Sequence, residues 1–275
     1  MQGAVNESKR SPTSGWPAWR SVIIPAEHGG WGFLLEPVLL GLLVAPTTAG
    51  LLLGLATVAA FLIRQPLKIL QIDRRRKLHT ARTQRAQRAV AALAGGAGGL
   101  AGVSFAVALG QAGPAFVTPL LLAIPFGAVF LYYDLTKPGR TLQAELAAPP
   151  AMAFVAPAMA MMGGWTLPAA LALWVGLTAR AIPSVIYVRA RIRLDRGREP
   201  DLIWPAALHV LALVVVAPLI WRDLLPATAL IAYLLLLARA VWFLSPARPR
   251  ISIKAIGFME MGLGILTVLM LALRF

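Results

Sequence analysis

The chain of 275 residues reads as long apolar runs separated by short polar connections, and most runs are close to 20 residues long. A helix needs about 20 residues to cross the roughly 30 Å hydrocarbon layer of a bilayer, so these runs predict membrane spans. Nine can be placed, near 23–45, 49–70, 89–110, 115–133, 142–162, 166–187, 203–220, 225–243 and 254–273. The expected fold is all-α, a polytopic membrane helical bundle. Residues 1–20 are expected as a disordered cytoplasmic tail and 21–275 as one transmembrane domain, with pseudo-repeated parts near 21–140 and 141–275.

The polar connections add an orientation. Those after spans 1, 3, 5 and 7 (APTT, QAGP, GGWT, WRDLL) hold one basic residue, Arg222, while the tail and the remaining connections hold nearly all the others. Basic loops stay on the cytoplasmic side, which predicts the N-terminus inside and the C-terminus outside.

Composition agrees with a membrane protein: 59% of residues are hydrophobic and 13% charged, against about 25% charged in a typical soluble domain. The net charge of +15 therefore belongs to loops that set topology and meet anionic headgroups, and nucleic acid is not an expected partner. The chain has no cysteine, which excludes disulfides and thiolate chemistry. Its histidines, His28, His79 and His209, lack metal-ligand spacing.

Two stretches resemble each other: Arg64 to Arg75 and Arg180 to Arg191. Spacing of i, i+4, i+7 and i+11 puts residues on one helix face. That gives the stripes Arg64/Lys68/Gln71/Arg75 and Arg180/Ser184/Tyr187/Arg191. They read either as ordinary positive-inside helix ends or as two halves of an anion site, since arginine and lysine hold phosphate or carboxylate without a bridging metal.

Charges inside spans are costly and face a bundle interior or wet cavity. Glu27, His28 and Glu36 fall in span 1, and Arg239 and Glu260 in spans 8 and 9. Nearly all such groups lie toward the cytoplasmic side. A pocket open to one face suits an enzyme or binder acting on a lipid-soluble molecule with a polar head, whereas a transporter site sits near the midplane. The other readings are an exporter of a small anion or lipid, a non-catalytic membrane partner, and pairing of the charges among themselves, as of Glu36 or Glu260 with Arg180 or Arg239. Glu27, His28 and Glu36 are the candidate acid–base residues. Arg64, Lys68, Gln71, Arg180, Ser184, Tyr187, Arg239 and Glu260 are the candidate ligand-binding residues. Trp31 reads as an interfacial anchor. In span 3, the G-x-x-x-G spacings 95/99 and 98/102 predict close helix packing, within the chain before a dimer seam.

The motif Pro25, Glu27, His28, Gly29, Trp31, Leu34, Pro37, followed by Arg64-Gln-Pro-Leu and Asp73-Arg-Arg-Arg, resembles the YwiC-like family of bacterial membrane proteins. The resemblance implies a bacterial inner-membrane protein and carries no activity. Nine spans with large cytoplasmic loops after spans 2 and 6 are also similar in architecture to the UbiA-type prenyltransferases, which implies a membrane lipid or isoprenoid ligand and possible group transfer. Those enzymes carry Asp-rich magnesium motifs on helices 2 and 6. Here Asp73 and Asp195 are expected beyond the helix ends and no such motif is present, so magnesium is not implied.

Overall fold

In the computed structural model, residues 19–24, 28–137 and 139–273 are described, and every regular element among them is a helix. After the short α1 (Arg20–Ile23) come α2 (His28–Val44), α3 (Thr48–Arg75) and α4 (Ala81–Ala112). A 3-10 turn, Pro114–Phe116, leads into α5 (Val117–Thr136), followed by α6 (Leu142–Ala153) and α7 (Val155–Met162). The remainder is α8 (Leu167–Asp195), α9 (Ile203–Trp221), α10 (Thr228–Leu244) and α11 (Ile253–Ala272). Hydroxyl caps start several of them: Thr47, Thr141 and Ser252 each accept from the backbone N–H three residues on, which satisfies a donor the helix itself leaves open.

The chain is a polytopic membrane bundle. Among the described residues, seven helical segments are long and apolar enough to cross a bilayer: α3, α4, the turn with α5, α6 with α7, α8, α9 and α11. The apolar part of α2 and α10 are shorter. The nine expected spans all fall on these segments.

The span formed by α6 and α7 occupies the centre. Every residue of α7 is buried, and α2, α3 and α8 pack around it. Its sequence of alanines and methionines allows this, because small side chains admit close backbones and flexible thioethers fill what is left. Gly41 of α2 sits so close that a Cβ there would lie 2.7 Å from Met159 Sδ. Helix α11 lies against α2, so the first and last spans adjoin.

Three expectations change. Span 5 is not one helix: it breaks at Phe154, after Pro149-Pro150 and before Pro157. The Trp174 indole N–H donates to the Pro150 carbonyl at 3.0 Å, so a carbonyl at the break finds a partner from α8. Secondly, α3 and α8 run to Arg75 and Asp195, past the apolar windows. Asp73 and Asp195 therefore lie in last helical turns, because apolarity reports depth in the bilayer while the basic residues that follow continue a helix readily. Thirdly, the glycines of α4 do not pack within the chain. Gly95, Gly96, Gly98, Gly99 and Gly102 are exposed, and a Cβ on any of them would meet nothing within 4 Å. Helix α4 joins α3 through its other face, where Ser104 donates to the Ala49 carbonyl at 2.8 Å.

Candidate functional site

The α3 stripe points at the C-terminal end of α5. Arg64 holds Asp134 bidentately, Nε to Oδ2 at 3.0 Å and Nη2 to Oδ1 at 2.8 Å, and Lys68 Nζ stands 2.8 Å from Oδ1. One turn on, Gln71 donates to the Leu135 carbonyl, and Arg75 approaches the same oxygen at 3.5 Å. Terminal helix carbonyls lack intrahelical partners and carry partial negative charge. The stripe thus binds one carboxylate and caps one helix end.

The α8 stripe points elsewhere, toward α2, α10 and α11. Arg180 Nη1 lies 3.0 Å from Glu36 Oε1, and Nη2 donates to the Glu260 carbonyl at 2.5 Å. Arg239 Nη1 lies 2.9 Å from Glu260 Oε1 and its Nη2 donates to Ser184 Oγ at 3.1 Å, with its guanidinium 3.8 Å over the Tyr187 ring. Arg191 is wholly buried. It pairs with Asp195 at 2.8 Å and donates to the carbonyls of Phe243 and Pro249, tying α8 to the end of α10 and the connection beyond it.

The two stripes therefore do not converge face to face. Among the described residues they meet at one cavity of about 220 Å³, which Arg64, Arg180 and Ser184 all line together with Glu36 and Glu260. Lys68, Gln71, Tyr187 and Arg239 stand behind or beside its wall. Glu27 lies outside the described residues, as does the side chain of His28. Trp31 packs edge-on against Phe61, ring centroids 5.5 Å apart. His209 is buried on α9, with Nδ1 2.6 Å from the Pro205 carbonyl. Among the described residues, no three of His, Asp and Glu come together as metal ligands would.

Glycines shape the cavity. Gly30, Gly32 and Gly257 line it, and the α2 groove above Glu36 exists because Gly32 has no side chain to fill it. At Gly264 of α11, a Cβ would lie 2.7 Å from Glu36 Cδ and 2.8 Å from Arg180 Nη2. The buried pair needs that glycine. Sequence spacing did not bring forward Asp134, Arg140 or Glu145 as wall residues. Asp134 and Glu145 each carried a signal, a lone acid at one end of an apolar span.

The description of the family model that fits residues 24–160 is YwiC-like protein. Over those residues the chain belongs to the YwiC-like family. This YwiC-like region runs from just ahead of α2 to within α7 and contains the motif around Trp31, the α3 stripe and Asp134. Arg180, Arg239 and Glu260, which complete the cavity and its surroundings, come from the chain beyond it. No curated protein and no solved structure matches the chain.

Proposed function

We propose that this YwiC-like membrane protein binds an amphiphile with an anionic head, a membrane lipid or isoprenoid, in the cavity between α2, α3, α5, α6, α8 and α11. The observation that carries the reading is the combination of wall and charge in one space. Phe33, Phe61, Phe130, Met152, Val185 and Met261 supply apolar wall, suited to a hydrocarbon segment. Four carboxylates line the cavity, Glu36, Asp134, Glu145 and Glu260, with three arginines, Arg64, Arg140 and Arg180. Lys68, Arg189 and Arg239 pair with three of those acids. Arginine at three places on one partly apolar wall suits an anionic head, since a guanidinium holds phosphate or carboxylate directly.

The loop from Gly139 to Thr141 borders the cavity and belongs to the basic set of connections, so the mouth is read as facing the cytoplasm of a bacterial cell across its inner membrane. Glu36 enters this reading as part of the wall, paired to Arg180.

The test is binding of hexyl phosphate to the purified protein, followed by native mass spectrometry and by equilibrium titration. Saturable binding is expected, weakened about tenfold or more by Arg140→Gln or Arg64→Gln, the scale of one charge-assisted hydrogen bond. Binding that is absent, or equal in wild type and both variants, would overturn the reading.

A further inference from the structure

The connections on the basic face of the bundle differ in what balances their charge. The α8–α9 stretch from Arg189 to Asp201 holds five bases and three acids, and its Arg189 and Arg191 are in ion pairs. Arg248, between α10 and α11, reaches back to Asp195 at 3.6 Å. The α3–α4 hairpin is different. From Asp73 to Arg88 it holds seven bases, Arg74, Arg75, Arg76, Lys77, Arg82, Arg85 and Arg88, all exposed. Asp73, the one acid of that stretch, is buried and accepts from Thr83 Oγ1 at 2.7 Å. Among the described residues, none of the seven bases is in an ion pair.

Helix geometry sets the depth of these bases. From Arg88 to the end of α4 at Ala112 is about 36 Å at about 1.5 Å per residue, enough to cross a hydrocarbon layer of about 30 Å. Arg88 therefore stands at the hydrocarbon edge, and Arg85 and Arg82 follow about one turn apart into the headgroup layer. Like charges three residues apart on a helix are neighbours and repel, and an anion between them relieves that. A guanidinium pairs with phosphate through two parallel N–H donors. Below Arg88 the same face continues as Ala92, Gly95, Gly99, Gly102 and Ala106, all exposed, opposite the buried Ala86, Ala97, Ser104 and Ala108. A Cβ at any of those three glycines would meet nothing within 4 Å, so a furrow with no side chain larger than a methyl runs down from the arginine. Exposed Ile72 and Leu78 stand among the bases of the hairpin, which suits a bilayer interface better than an aqueous polyanion.

We propose that the α3–α4 hairpin is a docking surface for an anionic phospholipid, its phosphate held by Arg82, Arg85 and Arg88 and a chain laid along the α4 furrow. Charge decides the occupant. A second copy of this chain in the same membrane orientation would bring its own seven bases alongside these, whereas an anionic lipid neutralises them. None of the seven lines the cavity, so this surface and the cavity reading stand or fall separately.

The test is native mass spectrometry of the full chain in a neutral detergent, with equal amounts of dioctanoyl phosphatidylglycerol and dioctanoyl phosphatidylcholine. At low salt the anionic lipid is expected to be retained in preference by at least about tenfold, since one base near an anionic surface is worth about fivefold. The triple variant Arg82→Gln, Arg85→Gln, Arg88→Gln should remove most of that preference. A second triple in the α8–α9 connection, Arg193→Gln, Arg196→Gln, Arg198→Gln, takes away the same net charge and should leave it. If the first triple does not fold, Arg85→Gln with Arg88→Gln gives the same comparison. In the wild type, about 0.5 M salt should abolish the preference, because the screening length there is only about 4 Å. Equal retention of the two lipids, an equal loss in both triples, or a preference that persists in salt overturns the surface. Displacement of the lipid by an equal concentration of glycerol 3-phosphate would make this a site for a soluble anion and overturn the lipid assignment. A dimer that forms without bound lipid and is broken by Gly99→Leu would give the furrow to a second copy and overturn it also.

Discussion

Arg180 has two carboxylate-bearing neighbours, and its behaviour on mutation should show which bond matters. Removing one partner of a buried ion pair leaves the other charge uncompensated and costs about 3–5 kcal/mol. Arg180→Gln and Glu36→Gln should therefore each lower stability, and the double variant should lose much less than their sum, because residues sharing a contact couple by about 0.5–3 kcal/mol. Arg64 and Arg180 hold different carboxylates, Asp134 and Glu36, so the stability losses of their single variants should add. Thermal unfolding of singles and doubles in one detergent reads both cycles; additive loss for Glu36 and Arg180 would show the pair unimportant. Gly264→Ala should be as harmful as breaking that pair, since its Cβ would fall on the Glu36 carboxyl carbon and the Arg180 guanidinium. Unchanged melting of Gly264→Ala would show that α11 can shift to admit a methyl group.

Among the elements, the broken helix and the glycine-rich helix make opposite predictions. At the α6–α7 break, Trp174 satisfies the Pro150 carbonyl and stacks on Phe154 at 4.7 Å between centroids. Trp174→Phe keeps an aromatic ring but orphans the carbonyl, at an expected cost of about 1–3 kcal/mol. Leucine at the same position should cost more, and equal stability of the Phe and Leu variants would show the stacking irrelevant. In α4, Gly98→Ala and Gly99→Ala should not lower the melting temperature, because open space surrounds both positions and alanine is the better helix former by about 1 kcal/mol. A clear loss at either would mean that another surface covers this face.

The whole molecule is a set of outer helices around α7 and α8, latched at one end by Arg191. That side chain reaches Asp195, Phe243 and Pro249 from full burial, so Arg191→Gln should destabilise the protein by several kcal/mol, the scale of a lost buried charge network. Orientation is tested in the same cysteine-free chain. Single cysteines at Lys77 and Gly197 should react with an impermeant thiol reagent only from the cytoplasmic side, and one at Thr47 only from the outside. Labelling of Lys77→Cys from outside would reverse the topology and move the cavity mouth to the other face.

Sequence alone determined what depends on local composition. Apolar runs near the bilayer thickness place the membrane segments, because burying backbone polar groups in hydrocarbon leaves helices as the way across for such runs. The motif around Trp31 marks the family, and periodicity puts Arg64, Lys68, Gln71 and Arg75 on one face, where they all reach the end of α5. Which charge meets which was decided only in three dimensions. Asp134 and Arg64 are 70 residues apart, and the Glu260 carbonyl and Arg180 are 80 apart; ion pairing depends on distance through space and on burial, and nothing in local spacing carries either. The α4 glycines show the same limit from the other side. Their spacing permits close approach, but another face of the helix meets α3, since contact requires a neighbour as well as room for one.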